Sequence, residues 1–169
     1  MSPYNNVVAE FLCGTGIDHR NRNLGFILNQ SDDWLGKTHD YIQWCFPSDE
    51  PSVAVPGSPY VSSDFIKRVS NPAGVKEGVK NSFCRTMEFY GLEYKPQNNI
   101  CVKSDDFHNK LWLTRRSHHF RRITRIIRAL NVVELSDLAS ALFSGLLNTP
   151  EITSVAGTRT IEIWKNAAS

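Results

Sequence analysis

No stretch of this chain reads as a catalytic signature, and no apolar run approaches the roughly 20 residues that a helix needs to cross a bilayer. The four cysteines, Cys13, Cys45, Cys84 and Cys101, stand far apart and form no CxxC pair. That spacing argues against a disulfide framework or a zinc site, and for buried reduced thiols in a cytosolic protein. The N-terminal MSPYNNVVAEF lacks the basic and apolar regions of a secretion signal, so the expectation is a soluble, cytoplasmic chain. Internal repeats, low-complexity tracts and alternating strand patterns are missing as well. The formal net charge of +2 is too small to imply nucleic acid by itself, which shifts attention to how charge is distributed.

What is present is helical periodicity. The 169 residues suffice for one domain with a real core, and four Trp and nine Phe supply bulky material for it. Asn5 to Phe11 and NLGFILNQ read as short helices separated by the loop CGTGIDHRNRN. Ser31 reads as an N-cap with Asp32 and Asp33 in the first turn. Trp34, Leu35, Tyr41, Ile42 and Cys45 then recur at three-and-four spacing, predicting one helix to about Phe46, where Pro47 stops it. The Pro- and Ser-rich stretch from Ser48 to Pro59 reads as an extended connector, and SSDFIKRVSN as a short capped helix. Asn71, Pro72 and Gly91 bracket a long helix with Val75, Val79, Phe83, Met87 and Tyr90 along one face. Further helices are predicted over about His118 to Asn131, Ser136 to Leu147 and Thr158 to Ala167. In QNNICVKSDDFHNKLWL the first part could be extended and the second a helical turn from Ser104. The fold class expected is all-α, a single compact domain of about seven to eight helices with long irregular connectors.

Two stretches carry candidate chemistry. In SHHFRRITRIIRAL, Phe120, Ile123, Ile126, Ile127 and Leu130 share one helical face, and His118, Arg121, Arg122, Arg125 and Arg128 fall opposite. With Arg115 and Arg116 upstream, and no acid between Asp106 and Glu134, this predicts a cationic surface suited to an anionic ligand, an acidic protein or nucleic acid. The bland reading is a solvated helix whose arginines pair with acids elsewhere. In HDYIQWCFPSDEPS, His39 and Gln43 are four residues apart on the polar edge of an otherwise apolar helix, a candidate ligand-reading pair. Their bland reading is hydrogen bonding to neighbouring backbone. His108, His118 and His119 do not make a metal set, since adjacent helical residues point about 100° apart, and they read as unrelated surface histidines. Ser104, Asp105 and His108 lack the framing of a nucleophile elbow, and GTGIDHRNRNLG lacks the ending of a phosphate loop. No catalytic residue, metal or cofactor is therefore predicted.

HDYIQWCFPSDEPS resembles the H-x-YIQW-x-FP-x-x-EP segment of the opioid growth factor receptor conserved domain. In order along the chain, GIDHRNRNLGFIL is similar to that family's PDGR-type loop and following helix, and FCRTMEFYGLEY to its ML-x-FYG segment. LWLTRRSHHFRRITRII resembles its W…SHN-x-LRITRIL segment, and IEIWKNAA its aromatic tail. The resemblance implies an all-helical domain. It also implies, for animal members, receptors of an enkephalin-type peptide at the nuclear periphery that carry long repeat-bearing tails. Without such a tail, the expectation here is a short single-domain member of bacterial or phage type. The function expected is a non-catalytic binding module for a peptide, protein or anionic small molecule. Its pocket is expected where the HDYIQW helix meets the basic helix, walled by His39, Tyr41, Gln43 and Trp44, with His118, Arg122 and Arg125 as donors. The alternative is nucleic-acid or anion binding through Arg115, Arg116, Arg121, Arg122, Arg125 and Arg128, with an enzyme of unrecognised type third.

Overall fold

The computed structural model describes residues 2–169, which form nine α-helices and one two-stranded hairpin. The described residues fall into two compact units. The first runs to Phe83 and includes Val132–Glu134, and the second comprises Cys84–Asn131 and Leu135–Ser169. The fold is thus mostly helical rather than strictly all-α. No helix among the described residues is long and apolar enough to cross a membrane.

In the first unit, α1 (Asn5–Leu12) packs on α4 (Ile42–Cys45), with Phe11 edge-on to Trp44 at 5.4 Å between ring centroids. α2 (Leu24–Leu28) starts at Asn23, whose side chain accepts from the Phe26 N–H. α3 (Asp32–Lys37) starts at Ser31, which caps Trp34 as its residue type predicts. The single helix expected to reach Phe46 does not form, because Thr38 turns extended (ψ 131°) and α3 ends. The apolar spacing runs on across this break, since Tyr41 and Ile42 are buried in either geometry. The break is bridged by the Tyr41 hydroxyl, which donates to the Leu35 carbonyl at 3.0 Å. After α4, the connector runs to α5 (Phe65–Arg68), tied down where Asn5 and Ser62 exchange hydrogen bonds.

α6 (Pro72–Tyr90) is shared between the units. Asn71 caps the Gly74 N–H, Val75, Val79, Phe83, Met87 and Tyr90 are buried, and Gly91 follows the last turn at φ 70°. Within the first unit α6 lies against α1 so closely that a Cβ on Gly78 would sit 2.0 Å from the Leu12 carbonyl oxygen. Only glycine permits that backbone approach.

The second unit holds the departure from an all-helical plan. β1 (Leu92–Lys95) and β2 (Ile100–Lys103) pair antiparallel, Leu92 opposite Lys103 and Lys95 opposite Ile100. Each strand has only four residues: β1 (LEYK) alternates apolar and polar for just two periods and β2 (ICVK) does not alternate, so together they give little strand signal in sequence. Asn99 closes the turn at φ 48°, accepting from the Tyr94 hydroxyl and donating to the Asp137 carbonyl. A single 3-10 turn, Phe107–Asn109, follows in the stretch that had suggested a helical turn. α7 (His119–Val132) and α8 (Ser136–Leu147) lie where periodicity places them, and α8 packs on β2 and α9. α9 (Pro150–Ala168) starts eight residues before the expected Thr158, with Pro150 in its first turn. It is interrupted at Gly157 (φ 78°, ψ 167°), so only the part beyond the kink matched the prediction. Trp164, fully buried, then donates its indole N–H to the Phe120 carbonyl.

Candidate functional site

The loop Asp18–Arg22 of the first unit explains much of HDYIQW. Asp18 is buried and accepts from the backbone N–H groups of Arg20 and Arg22 and from the Arg22 guanidinium at 2.7 Å. Asn21 takes φ 60°, and its N–H donates to the Asp18 carbonyl, closing the turn. Arg22 is thereby aimed at Asp40, with Nη2 3.0 Å from Oδ1, and its guanidinium lies 5.5 Å from the Trp34 ring centroid. Arg20 Nε reaches Asp40 Oδ2, and His19 Nε2 lies 3.2 Å from the same oxygen. Trp44 donates its indole N–H to His19 Nδ1 at 3.2 Å. An indole nitrogen can only donate, so Nδ1 accepts and the histidine's proton sits on Nε2, facing Asp40.

Asp40 is the hub of this clasp. Burial raises its pKa, but hydrogen bonds and charge from Arg22 and Arg20 outweigh burial and hold it below the ordinary value. The helix break at Thr38 lets Asp40 leave the helical path and meet these three side chains.

The sequence-predicted residues of this unit separate accordingly. Tyr41 and Trp44 are buried, their polar atoms engaged with Leu35 and His19. His39 is exposed and lies outside any helix, whereas Gln43 is buried within α4, so the two do not share a helical edge. Gln43 Nε2 lies 3.5 Å from Ser52 Oγ, and its Oε1 is buried with no hydrogen-bond partner. The cysteines also divide. Cys45 and Cys101 are buried, and burial pushes both thiols up to about 12, with Cys84's charge adding to Cys101. Cys13 is half-buried and Cys84 exposed, so the expectation of four buried thiols holds for two.

In the second unit, α7 buries Phe120, Ile123, Ile126, Ile127 and Leu130 as its periodicity predicts. The opposite side is not uniformly solvated. His118, Arg121 and Arg128 are exposed, Arg125 is half-buried, and Arg122 is only 7% exposed. Burial, followed by the charge of Arg128, pushes Arg125 down to about 10. Arg122 stands four residues before Ile126, at the rim of the apolar stripe, where neighbouring segments cover its side chain.

His119, expected with His108 and His118 to be a surface histidine, is instead buried among Phe89, Tyr90 and Trp112, because it stands four residues before Ile123 on the apolar face of α7; its ring centroid is 4.1 Å from that of exposed His118. Upstream, the Thr114 carbonyl accepts from the Ser117 N–H at 3.1 Å, so Arg115 and Arg116 occupy the apex of a tight turn. Both are exposed. Ser104 donates to Asp106 at 2.6 Å, which engages its hydroxyl with a carboxylate. Among the described residues no group of three His, Cys, Asp or Glu side chains is arranged to hold a metal ion.

These features define a predominantly helical protein with an ion-paired loop clasp and an exposed cationic turn. The model of the opioid growth factor receptor conserved region matches residues 24–158, and the chain belongs to that family. The opioid growth factor receptors of Mus musculus and Rattus norvegicus are each 30% identical to it over 115 residues. The Homo sapiens protein of that name is 28% identical over 112 residues. Each match covers 65% of this chain but only 18%, 19% and 16% of the respective relative, so the chain spans less than a fifth of their length. No solved structure matches it.

Proposed function

We propose that this chain is a non-catalytic recognition module of its family, engaging an acidic peptide or protein segment through the second unit's arginines. The supporting observation is the exposure of Arg115, Arg116 and Arg121, two at a turn apex and one on the first turn of α7. Guanidinium groups so presented meet carboxylates bidentately and raise encounter rates with acidic partners. The relatives' name, opioid growth factor receptor, adds a peptide ligand by analogy only. The residues anticipated as pocket walls, His39, Tyr41, Gln43, Trp44, His118, Arg122 and Arg125, remain part of this reading as candidates within their own units.

The test is fluorescence anisotropy with a labelled glutamate-rich peptide and a labelled enkephalin-type peptide over a range of salt concentrations. Saturable, salt-weakened binding is expected, falling about tenfold or more when Arg115, Arg116 and Arg121 are all changed to Glu. Circular dichroism of that variant should match the parent. Binding unaltered by the triple change overturns the reading. Preference for an oligonucleotide over either peptide would replace it with nucleic-acid recognition.

A further inference from the structure

Leu111 is 92% exposed, four residues before Arg115 at the apex of the turn that presents Arg115 and Arg116. A lone exposed leucine is unremarkable on a mobile loop. This one is not on a loosely held segment, because its neighbour Trp112 is buried and fixed. The Trp112 indole donates to the Tyr90 carbonyl at 3.0 Å, and its ring lies 4.6 Å from that of Tyr90. On the other side, Lys110 is largely covered and ion-paired with Asp106 at 3.0 Å. Anchors on both sides therefore hold Leu111 outward, four residues along the chain from the first of two exposed cations, Arg115 and Arg116.

We propose that the Lys110–Ser117 segment docks an extended acidic peptide, one apolar side chain packing on Leu111 and its carboxylates meeting Arg115 and Arg116. The inference rests on the reading above and specifies the class of partner. Four residues of chain span at most about 14 Å, and an extended peptide rises about 3.3 Å per residue. The apolar side chain and the first carboxylate should therefore lie no more than about four residues apart. A membrane surface fits less well, since a single leucine supplies little insertable area and Trp112 points inward rather than to an interface. Single-stranded nucleic acid fits less well too, because that buried indole offers no stacking face.

The experiment compares two labelled peptides, one of glutamates and polar residues and one differing by a leucine placed about four residues from its acidic cluster. Both are titrated against the parent chain and Leu111→Ser. The leucine peptide should bind the parent about tenfold more tightly, and that advantage should vanish in Leu111→Ser while the polar peptide binds both proteins equally. Near-ultraviolet dichroism from Trp112 checks that the segment keeps its place in the variant. If leucine confers no advantage, or the advantage survives in Leu111→Ser, this inference fails and the broader reading stands. If neither peptide binds, both fail. Vesicles containing phosphatidylserine that bind the parent but not Leu111→Ser, with no peptide preference, would overturn it in favour of a lipid surface.

Discussion

Asp40 gathers Arg20, Arg22 and His19 onto one carboxylate, and Arg22 in turn holds buried Asp18, so two loops of the first unit meet through a few charges. The folded pKa of Asp40 lies below its ordinary 3.8, so the clasp contributes its full stability above that value and loses it as pH falls through the folded pKa. Asp40→Asn should cost about 1–3 kcal/mol near neutral pH, through hydrogen bonds lost by charged donors. It should also flatten the acid limb of stability, because the proton-linked contribution is gone. Urea midpoints measured from neutral pH to about pH 2 in parent and variant check both statements. An unchanged acid limb would mean that Asp40 is not the hub. None of this was legible in sequence. GIDHRNRN shows charges without partners, and nothing in the spacing of Asp18, Arg20 and Arg22 names an aspartate about twenty residues on.

Among the elements, legibility followed the range of the determining interaction. α6 was readable because Asn71, Pro72 and Gly91 act within a turn of its ends and its apolar stripe is unbroken. The division of α3 from α4 was not, since apolar spacing continues across Thr38 and the partners that Asp40 meets beyond the break, Arg20 and Arg22, lie about twenty residues away in sequence. The hairpin was hidden by the shortness of β1 and β2. Arg122 was assigned to the solvent side because a helical projection cannot show how far neighbouring segments cover the rim. α9 illustrates a torsional cause. Gly157 has φ 78° and ψ 167°, a region essentially reserved for glycine, yet a Cβ there would meet nothing within 4 Å. Gly157→Ala therefore imposes a torsional penalty of about 1–3 kcal/mol with no steric one, and alanine favours a continuous helix through the position. A straightened α9 would carry Trp164 off the Phe120 carbonyl. The expected outcome is unchanged or higher helical ellipticity with red-shifted, more quenchable tryptophan emission. Emission identical to the parent would show that the terminal segment docks regardless of the kink.

At the scale of the whole molecule, the family match and the folded units do not share boundaries. The match covers residues 24–158, and it leaves out residues on which each unit depends. On the first unit's side these are Val8, Phe11 and Leu12 of α1, all buried, together with Asp18, His19, Arg20 and Arg22 of the clasp. On the second unit's side they include Trp164 and Ala167, and Asn131 donates to the Ala167 carbonyl at 2.9 Å. Removing Phe11 and Leu12 exposes the α6 backbone at Gly78, and removing Trp164 uncovers Phe120. Core truncations of single large side chains cost about 2–5 kcal/mol each, and whole domains hold only about 5–15 kcal/mol. Losing two aromatic core residues, an aliphatic cluster and an ion-paired loop together should exhaust that margin. A fragment of residues 24–158 is accordingly expected to lose cooperative thermal unfolding and to bind a hydrophobic dye, while the full chain melts in a sharp transition. A second fragment, beginning at residue 24 but keeping the C-terminal segment, should retain the tryptophan signal of Trp164 and lose the packing around Trp44. A sharp transition in the fragment of residues 24–158 would show instead that the matched region folds by itself and that the flanking segments only decorate it.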